Sequence, residues 1–426
     1  MRHKKILVIS NNSFSQSDSN GRTLGSMFAG WPKACLAQFC VIAKDPNWEL
    51  CDNYYCLEDK TMLKAFLKMR KAGGRVLARV DNCTMVGKVD TVRPKTGSRT
   101  VFKLLLRRVV WGAKRWNNLS FSKWVDEFKP DVVLLQLGDS SFMFDIALHI
   151  SQSRNIPLVT FCTEGYYFFK RNCFVRSRWD FLFFPIYKRL YDRTVERTMP
   201  HMKYAVYCNS LLQKDYTERF GIPSDVIYTG SNVQFSPKSL DSKNLRISYL
   251  GNLGIDRDSA LIEVGEVLQR INPKFAIDIY GYADEAMQER FLNAPGVNYR
   301  GLVSYDEVKR VIAHSDILFH VESEQGYKER QLQYAFSTKI ADSISSGKCF
   351  VLYAPKELAC SKYILENGCG WLATTKDKLN QVLVGILSDA KQRDEVLQRA
   401  HDVAIRNHCQ ERNARRFQEI IQTVKI

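Results

Sequence analysis

Three stretches of this sequence hold residue types whose spacing could grip a ligand carrying both phosphate and hydroxyl groups. The first is YLGNLGIDRDS, Tyr249 to Ser259. Gly251 and Gly254 let the backbone approach a bound group closely. Arg257 stands near an expected helix start, where a guanidinium grips phosphate through two parallel hydrogen bonds. A plain strand-to-helix turn with a surface arginine fits the same residues equally well. The second is FSTKIADSISSGK, Phe336 to Lys348. Ser337 and Thr338 sit where a helix would begin, with Lys339 beside them and Asp342 three residues on, on a neighbouring face. A cation and unpaired helix-start N–H groups suit phosphate, and a carboxylate suits a diol. A capped helix with a surface Lys–Asp pair is the alternative. The third set lies in the first half. The polar run NNSFSQSDSNGRTLGS, Asn11 to Ser26, and the pairs Gly138-Asp139 and Glu164-Gly165 each follow a short apolar run. Each could be a simple turn, but together they place two carboxylates, Asp139 and Glu164, on one edge of a sheet.

Ligands of open α/β sheets bind beyond the carboxyl ends of the strands, so these stretches need strands in front of them. The expected strands of the first half are Ile6–Ile9, Phe39–Ala43, Val132–Gln136, Leu158–Cys162, Ala205–Cys208 and Val226–Tyr228. DVVLLQL lacks polar alternation, as a strand buried on both faces of a parallel sheet should. The second half gives Arg246–Leu250, Phe275–Tyr280, Val297–Arg300, Ile317–His320, Cys349–Tyr353 and Trp371–Ala373. After Leu250 a helix is expected, with Asp258 able to cap it and Leu261, Ile262, Val264, Val267, Leu268 and Ile271 at helical spacing. Strands alternating with helices predict an α/β fold of two Rossmann-like, doubly wound parallel-sheet domains. The expected first domain is residues 1–230, with a basic insertion at about 60–115. A Ser- and Asn-rich linker at 231–244 leads to a second domain at 245–405. A last helix at 406–426 is expected to return toward the first domain.

The chain has 426 residues, with 62 Lys+Arg against 45 Asp+Glu and a formal net charge of +17. Its 45% apolar and 25% charged residues exclude wholesale disorder, collagen and coiled coil. The charge is concentrated. Lys60 to Arg115 holds 16 basic residues and two acidic ones, whereas residues 231–426 are nearly balanced. Tyr166 to Arg193 adds seven basic, two acidic and eleven aromatic residues. The opening MRHKKILVIS lacks the apolar core of a signal peptide, and no run approaches a membrane span. The twelve cysteines form no CxxC pair, so free thiols in a reducing cytosol are expected and a zinc site is not.

The second half then reads as GNLG after a strand, IYG ending on Gly281, VNYRGLVSYDEVKRVIAHSDILFHVE, and FSTKIADSISSGKCFVLY. This order resembles the C-terminal domain of GT-B fold glycosyltransferases, in the group related to glycogen synthase and bacterial lipid-glycan transferases. The resemblance covers residues 246–426, and Val297 to Tyr353 is its most specific part. NGRTLGSMFAGWPKACLAQF is similar to N-termini of bacterial surface-polysaccharide transferases. The resemblance implies a retaining hexosyltransferase that takes a nucleotide-sugar donor on the second domain and its acceptor on the first. No cofactor or metal is implied. In that family an Arg and a Lys stabilise the leaving diphosphate. Asn252 stands where the Arg would be and Arg257 where the Lys would be, with Lys339 as a second cation. Asp342 matches the second Glu of the family's paired-glutamate motif, which holds the ribose. The first has no clean match, although Glu322 and Glu324 follow Ile317–His320. Implied donor contacts are Gly251, Asn252, Gly254, Arg257, Gly281, Glu322, Ser337, Thr338, Lys339 and Asp342. Implied acceptor contacts are Asn20, Gly21, Arg22, Asp139 and Glu164. Arg257, Lys339 and Glu164 are the expected catalytic residues, with Glu164 near where the family's catalytic His would fall.

The basic region then reads as a membrane contact. KLLLRRVVWGAKRW, Lys103 to Trp116, mixes cations with Leu, Val and Trp, as a helix lying in a membrane interface does. Lys103, Arg107, Arg108, Trp111, Lys114, Arg115, Trp116, Phe174 and Trp179 are the expected contacts. The expectation is a cytoplasmic protein, peripheral on the inner membrane face, with a lipid-linked glycan acceptor in bacterial surface polysaccharide synthesis and no nucleic-acid partner. A solvated basic face is the alternative to membrane contact. The competing functions are a catalytically inactive GT-B scaffold subunit, a basic RNA-binding protein and a sugar-nucleotide epimerase.

Overall fold

The structure is a computed structural model that describes residues 2–15, 19–78, 99–175, 177–241, 244–325 and 332–425. The middle of the basic window, 79–98, and residues 326–331 of the glycosyltransferase-like phrase lie outside it. The chain forms two compact units. The first holds the described residues up to Tyr228 together with Gln410–Ile426, and the second holds Thr229–Cys409.

The first unit is built on an eight-stranded sheet of order β4-β3-β2-β1-β5-β6-β7-β8. Its strands are β1 Ile6–Ile9, β2 Leu36–Cys40, β3 Tyr54–Cys56, β4 Arg75–Val76, β5 Val132–Leu137, β6 Leu158–Cys162, β7 Met202–Tyr207 and β8 Ser224–Val226. All pair in parallel except β4, which runs antiparallel to β3. Ile6, Val8, Val132, Leu134, Val159 and Phe161 pack on one face beneath Phe28 and Phe417, and Leu7, Val133 and Leu135 are fully buried on the other. Burial on both faces explains the continuous apolar runs. The last helix, Gln410–Thr423, inserts Phe417, Ile420 and Ile421 into this core.

β3 and β4 have no counterpart among the expected strands, and β8 ends where the expected Val226–Tyr228 begins. β2 lies three residues earlier than Phe39–Ala43, because a polar residue inside it is buried. Gln38 is fully enclosed, accepting from the Phe14 amide at 2.8 Å and donating to Ser10 Oγ at 2.7 Å. The run Asn11 to Ser26 is not all loop, since Ser19–Ser26 is helical. Gly21 within it packs so closely that a Cβ would lie 2.4 Å from the Ser13 carbonyl oxygen.

The second unit is a six-stranded parallel sheet of order β11-β10-β9-β12-β13-β14. The strands are β9 Ile247–Leu250, β10 Ile277–Tyr280, β11 Val297–Gly301, β12 Ile317–Val321, β13 Cys349–Tyr353 and β14 Trp371–Ala373. The chain leaves β9 toward β10 on one side and returns to β12 on the other, so the strand order reverses between β9 and β12. The stretch expected as the 231–244 linker packs on this unit. Ser231 Oγ donates to Asp342 at 2.8 Å, Ser236 N donates to the Ser346 carbonyl at 2.9 Å, and Lys238 pairs with buried Asp316 at 2.9 Å.

His408 closes this unit. Its Nδ1 donates to the Thr229 carbonyl and its Nε2 accepts from Tyr363 Oη, each at 2.9 Å. Burial holds its pKa down from 6.5 to about 4, against the Thr229 bond. A depressed histidine pKa costs nothing above the unfolded value and destabilises as pH falls between the two. Over that window the loss is about 3 kcal/mol, at ~1.4 kcal/mol per pK unit. Urea unfolding from pH 7 to pH 4 should therefore lose stability more steeply in the wild type than in His408→Gln. Parallel slopes would contradict this.

Candidate functional site

In the second unit the switch point lies between β9 and β12. β9 runs into the turn Gly251–Asp256 and then the helix Arg257–Ile271. The turn is tightly determined. Asn252 Oδ1 accepts from the Gly254 amide at 2.9 Å, and the Asn252 carbonyl accepts from Tyr249 Oη at 2.8 Å. Gly281, after β10, would place a Cβ 2.3 Å from the Gly251 carbonyl oxygen, so the two turns can meet only through a glycine. Ile255 and Asp256 both adopt left-handed backbone, with φ of 66° and 58°. For a β-branched residue this is strain of about 1–3 kcal/mol, which persists only where the surroundings enforce it.

The helix starts at Arg257, two residues earlier than a cap at Asp258 requires. Asp258 is therefore inside the first turn, where its buried carboxylate pairs with Arg290. Arg257 turns inward. Its Nε and Nη2 donate to Glu322 Oε2 and Oε1 at 3.0 and 2.7 Å. Burial opposes the Arg257 charge, but Glu322 outweighs it and raises the guanidinium pKa. Burial pushes the Glu322 carboxyl up, but His320 and Arg257 together bring it below its ordinary value.

The helix Thr338–Ser345 follows β12, capped by Ser337 Oγ, which accepts from the Lys339 amide at 3.3 Å. Lys339 Nζ lies 3.5 Å from Asp342 Oδ2, while Asp342 Oδ1 accepts from Ser231. Asp342 is thus buried and already held on both oxygens. Beside Glu322 a cavity of about 870 Å³ runs along the carboxyl ends of β9, β12, β13 and β14. Asp256, Glu263, Glu322 and Glu324 face it with Lys356 and Lys376. Carboxylates accept from hydroxyl groups and repel phosphate, so this lining suits the neutral part of a ligand. Among the described residues, no cluster of three His, Cys, Asp or Glu could hold a metal ion.

The first unit has its own switch point, between β1 and β5. Asp139 follows β5 and is buried. Its Oδ1 accepts from Ser140 at 2.9 Å and its Oδ2 lies 3.4 Å from Arg99. Glu164 follows β6, in a turn whose carbonyls at Thr163 and Glu164 accept from the Cys208 and Cys162 thiols. Water reaches the Glu164 side chain, and the protein packed around it raises its carboxyl to about 7, from burial first and Asp139 second, with Arg99 opposing. The Asn20 side chain lies outside the described part, and Gly21 serves the close packing against Ser13. Arg22 is half-buried in the same helix.

Several expected membrane contacts point inward instead. The helix Val101–Trp111 buries Leu104 and Trp111. Arg107 donates to Asp59 at 2.9 Å, Ser140 at 2.6 Å and Asn11 at 2.9 Å, and Arg108 reaches Ser141 and Thr194. Trp111 stacks on Phe142 at 4.0 Å and donates to Asp59. Trp116 and Phe174 are buried, and Arg115 lies over the Phe66 ring. Lys103, Lys114 and Trp179 do face outward. The outward apolar residues are others: Phe102, Leu106 and Val109 on this helix, and Phe181, Leu182 and Ile186 on the helix Asp180–Thr198. The two helices meet through Phe102 and Phe183, with centroids 5.3 Å apart. Sequence reading missed Asp59, Arg99 and His320, whereas Asn11 opens the polar run it singled out. The inward turn of Arg108 was signalled by its helical spacing with Leu104 and Trp111.

No family model and no curated protein matches this chain. Solved structures do. HepE of Anabaena in complex with UDP and glucose aligns with a TM-score of 0.60 at 12% identity, covering 99% of this chain and 100% of that one. Sucrose-phosphate synthase from Thermosynechococcus elongatus aligns at 0.61 and 12%, covering 99% and 98%. The lipopolysaccharide outer core galactosyltransferase WaaB, in apo form, aligns at 0.59 and 14%, covering 98% and 99%. With its two doubly wound parallel sheets, the chain has the fold of the GT-B glycosyltransferases.

Proposed function

We propose that this protein is a metal-independent glycosyltransferase that moves a hexose from a nucleotide-sugar to a lipid-linked glycan acceptor. The observation that carries the reading is Arg257, a half-buried cation at the first turn of the helix after β9, at the point where the strand order reverses. Charge develops on the leaving diphosphate as the sugar departs, and a preorganised cation there lowers the barrier. Lys339, at a helix start after β12, supplies the second charge. The adjoining carboxylate-lined cavity takes the sugar hydroxyls. HepE, of the same fold, is described in complex with UDP and with UDP-glucose, which supports a donor of this class.

On the acceptor side, Glu164 accepts a hydrogen bond from the attacking hydroxyl and orients it. Retention, which the resemblance implies, leaves that proton to the departing phosphate. The anomeric coupling constant of the product, read by NMR, distinguishes retention from inversion. A scaffold role has one observation in its favour: Arg257 and Lys339 each already face a carboxylate. Loss of sugar transfer in Lys339→Ala would exclude the scaffold role, and unchanged transfer would support it.

The acceptor's lipid places the first unit at a membrane. No described helix is long and apolar enough to cross one. Phe102, Leu106, Phe181, Leu182 and Ile186 are exposed, and so are Lys103, Arg171, Arg178 and Arg189 near them in sequence, a mixture that suits an anionic leaflet. Basic residues near such a leaflet contribute about 1 kcal/mol each. Wild-type protein should co-sediment at low salt with phosphatidylglycerol vesicles but not with phosphatidylcholine. Leu106→Glu/Ile186→Glu should cut binding by about tenfold or more through lost apolar insertion and added charge. Equal binding to both vesicles, or none, would sink the proposal.

A further inference from the structure

We infer that Glu322 is a positioning residue for Arg257, and that their pairing is why an arginine rather than a lysine starts this helix. The inference rests on the reading that Arg257 grips the donor diphosphate. Glu322 is the first residue beyond β12 and is buried. It takes the Nε–Nη2 edge of the guanidinium, at 3.0 and 2.7 Å. Its Oε1 also lies 3.2 Å from His320 Nε2. His320 Nδ1 is buried with no hydrogen-bond partner among the described residues. The ring therefore carries its proton on Nε2 and donates to Glu322, because a proton on Nδ1 would be buried unpaired.

This division of the guanidinium has a chemical consequence. An arginine offers five N–H groups in a fixed planar fork. With the Nε–Nη2 edge taken, the Nη1–Nη2 edge keeps two parallel donors. Among the described residues, Nη1 donates to the Asn252 carbonyl, at 3.4 Å. That edge matches two phosphate oxygens, so one residue can serve a buried carboxylate and a diphosphate together. A lysine is a point charge on a flexible stem and cannot do both. Glu322, buried beside it, would capture the ammonium. The resemblance places a lysine here, and Glu322 accounts for the departure. The pair also ties the strained turn at Ile255 and Asp256 to the end of β12.

A double-mutant cycle with UDP as the probe, read by calorimetry, tests this. Arg257→Lys should weaken UDP binding about 100-fold and Glu322→Gln about tenfold, within the range of coupled neighbours. The double variant R257K/E322Q should bind UDP at least tenfold more tightly than R257K alone, because the lysine is released from Glu322. A merely structural role for Glu322 would make the double variant worse, never better. Should E322Q fail to fold, Glu322→Asp serves: it keeps the charge, should weaken UDP binding alone, and should not rescue R257K. A double variant no tighter than R257K, or a rescue by E322D, overturns the inference while leaving the donor reading intact. UDP binding by Arg257→Ala equal to the wild type overturns the donor reading and the inference with it. So does a wild type that binds none of UDP, GDP and ADP.

Discussion

Arg257→Ala is expected to lower kcat/KM for sugar transfer by about 100–1,000-fold, the usual consequence of removing one preorganised charge from a developing anion. The loss should fall on both KM and kcat, because Arg257 grips the diphosphate in the bound donor and more strongly still as the sugar leaves. Stability should fall as well. Glu322, 2% exposed in its side chain, loses its bidentate partner and, among the described residues, keeps His320. Breaking such a buried pair costs about 3–5 kcal/mol. The kinetic comparison therefore belongs below the variant's unfolding transition, with the fold checked by circular dichroism. A folded Arg257→Ala enzyme with wild-type kcat would remove Arg257 from the chemistry.

Glu164→Gln is expected to cost about 100-fold in kcat, in the range of a misplaced attacking group. Its signature is in the pH profile. The protein packed around Glu164, with Asp139 second, raises its carboxyl to about 7, so only above that pH is it the carboxylate that accepts from the hydroxyl. Wild-type activity should fall as pH drops through about 7, and Glu164→Gln should lack that limb. Stability should move in the opposite sense. A carboxyl raised in the folded state favours folding below its unfolded pKa and loses that benefit as pH rises through about 7. The glutamine variant should thus melt higher than the wild type at pH 8 and show no such gain at pH 4. A variant that keeps the acid limb would assign it to another group.

Much of this fold is legible in the sequence because parallel strands buried on both faces are written as unbroken apolar runs. VVLLQL and CFVLY are read directly as β5 and β13. β2 is harder, since Gln38 interrupts the run and its burial depends on Ser10 and Phe14, distant in sequence. Arg257 is legible as a helix-start cation, but its partner is not. Arg257 and Glu322 are 65 residues apart, and they meet because β9 and β12 pair in register, Tyr249 opposite Phe319. The basic window misleads for a related reason. Charge counting records Arg107 and Arg108 as surface cations, whereas helix spacing turns both toward Asn11, Ser140 and Thr194. Net charge reports composition, and only the helix face decides which cations meet solvent.

The most direct measurement is a thermal-shift titration of the wild type and Arg257→Ala with UDP-, GDP- and ADP-sugars at up to a thousandfold excess over Kd. Ligand that binds only the folded state adds about 4 kcal/mol of stability at that excess. One nucleotide-sugar should raise the wild-type Tm by several degrees and leave Arg257→Ala unmoved. A wild type whose Tm no nucleotide-sugar changes, or an Arg257→Ala variant that shifts as far as the wild type, would contradict a donor site at the β9–β12 switch point.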